Sequence, residues 1–267
     1  MTLTQPKVTT DEAAGEAAVV TARYVYAIVP ADTVVPAGLK GIDDAPVEVV
    51  PHGDIAAAVG TLVTGRAYGR REDLLAHNRV IDTLAKRGPV VPVRFGSVLA
   101  DAELVVAELL APNAEFFAGV IDELAGHQQF VLRARYDEEA VLAEIVSENP
   151  EIARLRDQTR ELTVEASWNE RVRLGELVAR ALEVKRDVDS SALLDLLAPH
   201  AASWNIRSAG EVDHLVDIAF LVADEQRDGF EAAAEQAAKR LAGRGRVRLV
   251  GPTAPYDFVP GDEPWVS

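Results

Sequence analysis

The pattern of hydrophobic positions begins with a period of two. In Arg23–Pro30, Tyr24, Tyr26 and Ile28 fall on one side and Val25, Ala27 and Val29 on the other, all good strand formers, so the segment reads as a buried first strand. After a loop punctuated by Pro36, Gly38, Gly41 and Pro46, the runs Val47–Val50 and Ile55–Val59 flank Pro51-His52-Gly53-Asp54. Turn chemistry between two strand-like runs predicts a hairpin. From Glu72 the period lengthens, with Leu74, His77, Ile81 and Leu84 on one helical face before Gly88 and Pro89 stop it. Val91, Val93 and Phe95 then alternate with Pro92, Arg94 and Gly96, predicting a short strand near a sheet edge, where a proline is tolerated. Asp101 is placed to cap a helix to about Leu110. Asn113 is placed to cap another, in which Phe117, Val120, Ile121 and Leu124 share a face before Gly126.

A second unit starts after Gly126. Phe130, Leu132, Ala134 and Tyr136 alternate with Val131, Arg133 and Arg135, predicting a strand with one wet face. Helical spacing occupies about Glu138–Val146 and much of Glu151–Arg186, and Ser190 or Ser191 is placed to cap Leu193–Leu197. Extended stretches follow at Ala201–Ser208 and His214–Val222, joined by a turn at Ala209-Gly210. Asp224–Leu241 is helical, Gly243 and Gly245 end it, and Arg246–Val250 closes as a strand. The order strand, helices, strand, strand, helix, strand is compatible with a ferredoxin-like split βαβ sandwich. The expected fold class is α+β. It comprises a flexible tail over residues 1–21, an α+β N-terminal domain over 22–126, and a ferredoxin-like C-terminal domain with a closing tail over 127–267.

Composition narrows the function. The 267 residues are 48% hydrophobic and 26% charged, the balance of a soluble globular protein. With 43 acidic against 27 basic residues the net charge is -16, which repels phosphate backbones and anionic lipid surfaces. Cysteine is absent, which removes disulfides, thiolate metal sites and thiol nucleophiles. No uninterrupted apolar run reaches the roughly 18 residues of a membrane span. The opening residues hold Lys7 as their only base beside Asp11, Glu12 and Glu16, and read as a cytosolic tail rather than a signal peptide.

The search for chemistry returns few positive signals. His52, His77, His127, His200 and His214 lack the i, i+4 spacing of a helical zinc site, and no phosphate loop or nucleophile elbow is present. Gly243-Arg244-Gly245 leads out of a helix into a strand and reads as a helix terminator. Asp187 and Asp189, just before Ser190 and Ser191, suggest either a cation site or the decoration of a helix start. His77 on an apolar face and Arg94 in the next strand form either an anion-binding pair or a core histidine beside an ion pair of Arg94 with Asp73, Asp82 or another carboxylate. In the proposed sandwich Arg133 and Arg135 sit beside Arg246 and Arg248 on the face away from the helices. That strip is a docking face for an acidic partner or for the N-terminal half, or a solvated face interleaved with Asp217. Finally, Gly251-Pro252-Thr253-Ala254-Pro255-Tyr256-Asp257-Phe258 is a stiff extended exit that either clasps the fold or presents Tyr256 and Phe258 to a partner.

These segments carry a resemblance. The chain from about Tyr24 to Val259 resembles gas vesicle accessory proteins of the GvpL/GvpF family. The similarity lies in YVYAIV at Tyr24–Val29, LLAHNRVID at Leu74–Asp82, VVPVRFGSVL at Val90–Leu99, FFAGVIDELAG at Phe116–Gly126, DIAFLVADEQRDGF at Asp217–Phe230 and GPTAPYDFV at Gly251–Val259. Within these, His77, Pro92, Arg94, Phe95, Gly96, Gly251, Pro252 and Pro255 match the family motifs. At Glu170–Ala181 the family carries a glycine-alanine-tyrosine cluster, whereas this chain reads ERVRLGELVARA. The resemblance implies an α+β N-terminal and a ferredoxin-like C-terminal domain, no enzymatic reaction, and no cofactor or metal. It also implies a cytoplasmic, vesicle-associated role in assembly, with the hydrophobic shell protein and other accessory proteins as partners. Arg133, Arg135, Arg246, Arg248, Tyr256 and Phe258 are the expected contacts. The competing expectations are a small-molecule-binding regulatory module and a hydrolytic enzyme centred on His77 and Arg94.

Overall fold

A computed structural model describes residues 21–63, 68–163, 165–207 and 214–260. The expected tail up to residue 20, and Ser208 with the turn at Ala209-Gly210, lie outside the described residues.

Strand β1 (Thr21–Pro30) forms the middle of the first sheet, whose order is β2-β3-β1-β4 with β2 (Val47–His52), β3 (Ile55–Val63) and β4 (Val91–Pro92). The hairpin β2–β3 and the pair β1–β3 are antiparallel. Tyr24 through Val29 are fully buried because helices cover both faces of this sheet, so no polar alternation is needed. On one face α1 (Arg71–Ala85) packs Ala76, Val80, Ile81 and Leu84 against Tyr24, Tyr26, Ala56 and Ala58. On the other, Val105, Leu109, Leu110, Phe117, Val120 and Ile121 pack on Val25, Ile28, Ala57 and Val59.

That second layer is one bent helical run: α2 (Ala102–Leu104), a π-helical stretch Val105–Leu110, a 3-10 turn at Ala111–Asn113, and α3 (Ala114–Leu124). Asp101 caps α2 by accepting the Leu104 N–H at 2.8 Å. Asn113 does not cap α3 with its side chain; it donates to the Leu109 carbonyl instead, where the π-helical stretch has displaced the regular hydrogen bonds. The run Ala102–Leu124, which contains an 18-residue window of mean hydropathy 1.6, is by length and composition alone long and apolar enough to cross a membrane, a feature the count of uninterrupted apolar residues overlooks. Its largest side chains face the sheet, as in the core helix of a globular fold.

The strand expected through Phe95 shortens to Val91–Pro92; Val93 N–H still donates to the Tyr26 carbonyl at 3.0 Å before the chain leaves the sheet. It returns as β5 (Val98–Leu99), also paired with β1. The second sheet has the order β7-β8-β6-β9, every neighbouring pair antiparallel. Its strands are β6 (His127–Tyr136), β7 (Ser203–Ile206), β8 (His214–Ala223) and β9 (Gly245–Thr253), the last longer than its sequence pattern suggests. One face of this sheet buries Phe130, Leu132, Ala134, Ile218 and Phe220 under α4 (Glu138–Glu148), α5 (Pro150–Glu161), α6 (Trp168–Leu197) and α7 (Arg227–Leu241).

α6 is a single helix of 30 residues, so Ser190 and Ser191 stand inside it and start no new helix. Ser190 Oγ donates back to the Asp187 carbonyl, the mid-helix alternative to capping. The opposite face of the sheet is covered only in part: Leu221 joins the core of the first half beside Phe117 and Val25, whereas Arg133 and Arg135 remain exposed.

Candidate functional site

The family-like segments converge on α1. Tyr24 accepts the Gly96 N–H at 3.0 Å on its hydroxyl and donates to His77 Nδ1 at 3.0 Å. The Val93 backbone also engages the imidazole, consistent with Nδ1 as the acceptor. The rings of Tyr24, Tyr26 and Phe95 centre 5.7, 5.9 and 5.5 Å from the His77 ring. Burial drives the His77 pKa down to about 4, with the Val93 bond offsetting part of the shift, so the ring is neutral at pH 7. Gly96 adopts φ +98, which aims its N–H back at Tyr24.

His77 and Arg94 do not share a site. His77 is 1% exposed with its ring engaged on both sides, whereas the Arg94 side chain faces solvent. Among the described residues Arg94 forms no ion pair with Asp73 or Asp82; Asp73 accepts the Gly69 and Arg70 N–H groups, and Asp82 that of Ala254.

The closing segment is sewn to both halves. Ala254 is buried among the α1-side core residues, and Phe258 and Val259 pack half-buried on the other core of the first sheet. Tyr256, 43% exposed, reaches Asn78 Oδ1 at 3.4 Å. Asp257 accepts from Gln129 Nε2 at 2.7 Å, donates its N–H to Gln129 Oε1 at 3.0 Å, and meets Arg207 Nε at 3.3 Å. Pro255 is buried and Pro252 half-buried, and Gly251 passes so close to Phe130 that an added Cβ would lie 2.6 Å from the ring.

The arginine strip has the register expected of it. Arg133 lies directly opposite Arg248 and Arg135 opposite Arg246 across β6 and β9. Arg133 is also opposite Asp217 on β8 and bonds it at 3.1 Å; Arg207 approaches the same carboxylate at 3.7 Å. Arg207 carries no periodic signal and enters this face only because β7 ends beside β8.

A polar cluster under α6 also escapes sequence reading. Asp189, 8% exposed, accepts from Tyr136 Oη at 2.7 Å and pairs with Arg244. Arg244 and Lys185 both reach Glu144, at 3.2 and 2.9 Å. Burial works to raise the Glu144 pKa, but the bonds and charges of Lys185 and Arg244 outweigh it and hold the carboxyl below its ordinary value. Asp189 is thus an ion-pair residue within a helix, not the ornament of a helix start. The spacing of Asp187 and Asp189 gives no hint of a partner beyond residue 240.

An apolar groove of about 590 Å³ runs between α6 and the α4–α5 junction, lined by Ile145, Ile152, Leu177, Ala181, Val184 and Val188. Val184 and Val188 are 64% and 62% exposed, and Glu148, Glu151, Arg180 and Lys185 form a charged rim.

The described residues form two helix-covered antiparallel sheets tied together by the closing segment, an α+β fold. Residues 22–260 match the family model described as gas vesicle synthesis protein GvpL/GvpF, and the chain belongs to that family. It is 31% identical over 243 residues to gas vesicle protein F of Streptomyces sp. (strain CB03234), covering 88% of this chain and 98% of the relative. It is 26% identical over 250 residues to gas vesicle protein L of the same organism, covering 88% and 92% of the two chains. The crystal structure of GvpF from Anabaena sp. PCC7120 superposes with a TM-score of 0.78 at 24% identity, covering 90% of this chain and 98% of that one. These relationships give the chain a role in gas vesicle formation.

Proposed function

We propose that this chain is a non-enzymatic assembly factor that works in the cytoplasm by holding the hydrophobic shell protein of the gas vesicle and by engaging other accessory proteins. The observation that carries the reading is the groove on α6. A chain of net charge -16 leaves two valines in an apolar trough open to water and rings them with charge. An apolar centre with a polar rim is the anatomy of a protein interface, and the acidic body keeps a complex with an aggregation-prone subunit dispersed. The groove uses Leu177, Arg180 and Ala181, which lie in the stretch where the chain departs from the family pattern, so partner choice is tuned there.

In this reading the chain has two domains, residues 22–126 and 127–267, and the second is ferredoxin-like. The antiparallel order β7-β8-β6-β9 with helices on one face supports that assignment. The arginine strip and Tyr256 are secondary contacts, while Phe258 contributes through its packing in the clasp.

Pull-down of the shell protein by the purified chain tests the reading. Val184→Asp with Val188→Asp is expected to reduce capture by at least about tenfold, since each charge desolvated in an apolar interface costs more than about 1 kcal/mol. Capture should persist in high salt. Undiminished capture by a folded double variant would refute the groove as the contact.

A further inference from the structure

We infer that the seam between the two halves is built around a bound water molecule, held by Gln128 Oε1 and Thr253 Oγ1. Both residues line a cavity of about 10 Å³ where α1, the end of α3, the start of β6 and the end of β9 meet. The two oxygens are buried, and neither has a hydrogen-bond partner among the described residues. A polar oxygen removed from solvent and left without a donor is costly, and folded proteins rarely keep two around one cavity. The strands do not let the pair serve each other: Gln129, not Gln128, stands opposite Thr253 across β6 and β9.

Volume and chemistry together select the occupant. A space of this size takes one water and is too small for an organic ligand. A cavity lined only by carbon would stay dry, whereas one with two to four polar partners holds its water. An amide oxygen only accepts, so the water donates to Gln128, and the Thr253 hydroxyl is free to rotate and complete the bridge from either role. The Asp82 carboxylate, which also lines the cavity and whose Oδ1 accepts the Ala254 N–H at 3.2 Å, is within the same wall as a third partner.

Position gives the water its role. Asp82 and Leu124 belong to the first half, Gln128 and Thr253 to the second sheet, and Pro255, a further lining residue, to the closing segment. A molecule bonded to Gln128, Thr253 and Asp82 therefore ties both halves at the point where the closing segment crosses them. A bridging water is enthalpically nearly as good as a direct hydrogen bond, so the seam gains a polar joint where no side chain reaches across. The inference is independent of the assembly reading, since it concerns how the molecule holds itself together and not what it binds.

A high-resolution crystal structure of the full chain tests the site directly. A density peak is expected within hydrogen-bond distance, about 2.7–3.2 Å, of both Gln128 Oε1 and Thr253 Oγ1. Thermal unfolding tests the coupling. Thr253→Val and Gln128→Leu each leave the other oxygen orphaned, and each is expected to lower the midpoint by roughly 2–4 °C. The double variant removes both orphans and should lose less than the two single losses added together. Thr253→Ser keeps the hydroxyl and should keep both the peak and the midpoint. In solution, oxygen-17 relaxation dispersion should report one long-lived water fewer in Thr253→Val than in the unaltered chain. No peak in the unaltered chain, a peak bonded to only one of the two oxygens, or strictly additive losses would overturn the inference. An anomalous signal at the site in rubidium-soaked crystals would overturn it too, by assigning the site to a monovalent cation. Should the variants fail to fold, the density and the rubidium experiment on the unaltered chain decide the matter.

Discussion

His77 shows how one side chain couples the inner core to acidity. The unfolded imidazole takes up a proton near pH 6.5, while the buried ring stays neutral until about pH 4. The unfolded state therefore binds more protons across that window, and stability falls as pH drops through it. Urea unfolding from pH 7 to pH 4 should show a loss approaching about 3 kcal/mol attributable to this residue. His77→Gln, less stable at pH 7, should have a flatter profile between pH 6.5 and 4; an unaltered slope would refute the assignment. That His77 lies on the inward face of its helix is readable from its spacing with Ile81 and Leu84. That its ring engages Tyr24 and Val93 is not, because those partners arrive from separate strands.

At the scale of elements, α6 is held by charge as well as by Leu193 and Leu197. Asp189→Asn leaves Arg244 with one carboxylate in a largely buried site and is expected to cost about 3 kcal/mol in guanidinium unfolding. A second pH dependence belongs here. The Glu144 carboxyl is depressed in the folded state, so its contribution is complete above its unfolded value and disappears as pH falls through the lower folded one. It acts at more acidic pH than His77, so the two losses appear in succession.

Local pattern reveals α1, α3, α7, β6 and β8 because each has an apolar stripe at one period. It misjudges α6 because a Ser-Ser pair after two aspartates resembles a helix start wherever it occurs. Only the approach of Arg244, 55 residues away in sequence, shows that Asp189 faces inward. The arginine strip is legible for the converse reason: alternation along β6 and β9, once their pairing is assumed, puts the four side chains on one face without tertiary detail.

For the molecule as a whole, the segment after β9 makes contacts with both halves. Asp257 alone collects Gln129, Asn205 and Arg207, and Ala254 and Phe258 enter cores formed mainly by the first half. A chain ending at Thr253 is expected to lose its single calorimetric transition, or to melt roughly 5 °C or more below the full chain. Retention of both the single transition and the midpoint would show that the seam holds without the clasp. The motif is recognisable as an extended exit as far as Thr253, where β9 ends; the 3-10 turn at Tyr256–Phe258 and the anchor points on Asn78 and Asp82 required the fold.

The burial of Ala254 among side chains some two hundred residues earlier also sets a timetable. During synthesis the first sheet and α1 leave the ribosome long before the residue that completes their packing, so that half waits, unfinished, until about residue 259 has emerged. A chain still short of Ala254 therefore lacks the contacts that fasten its first sheet to its closing segment.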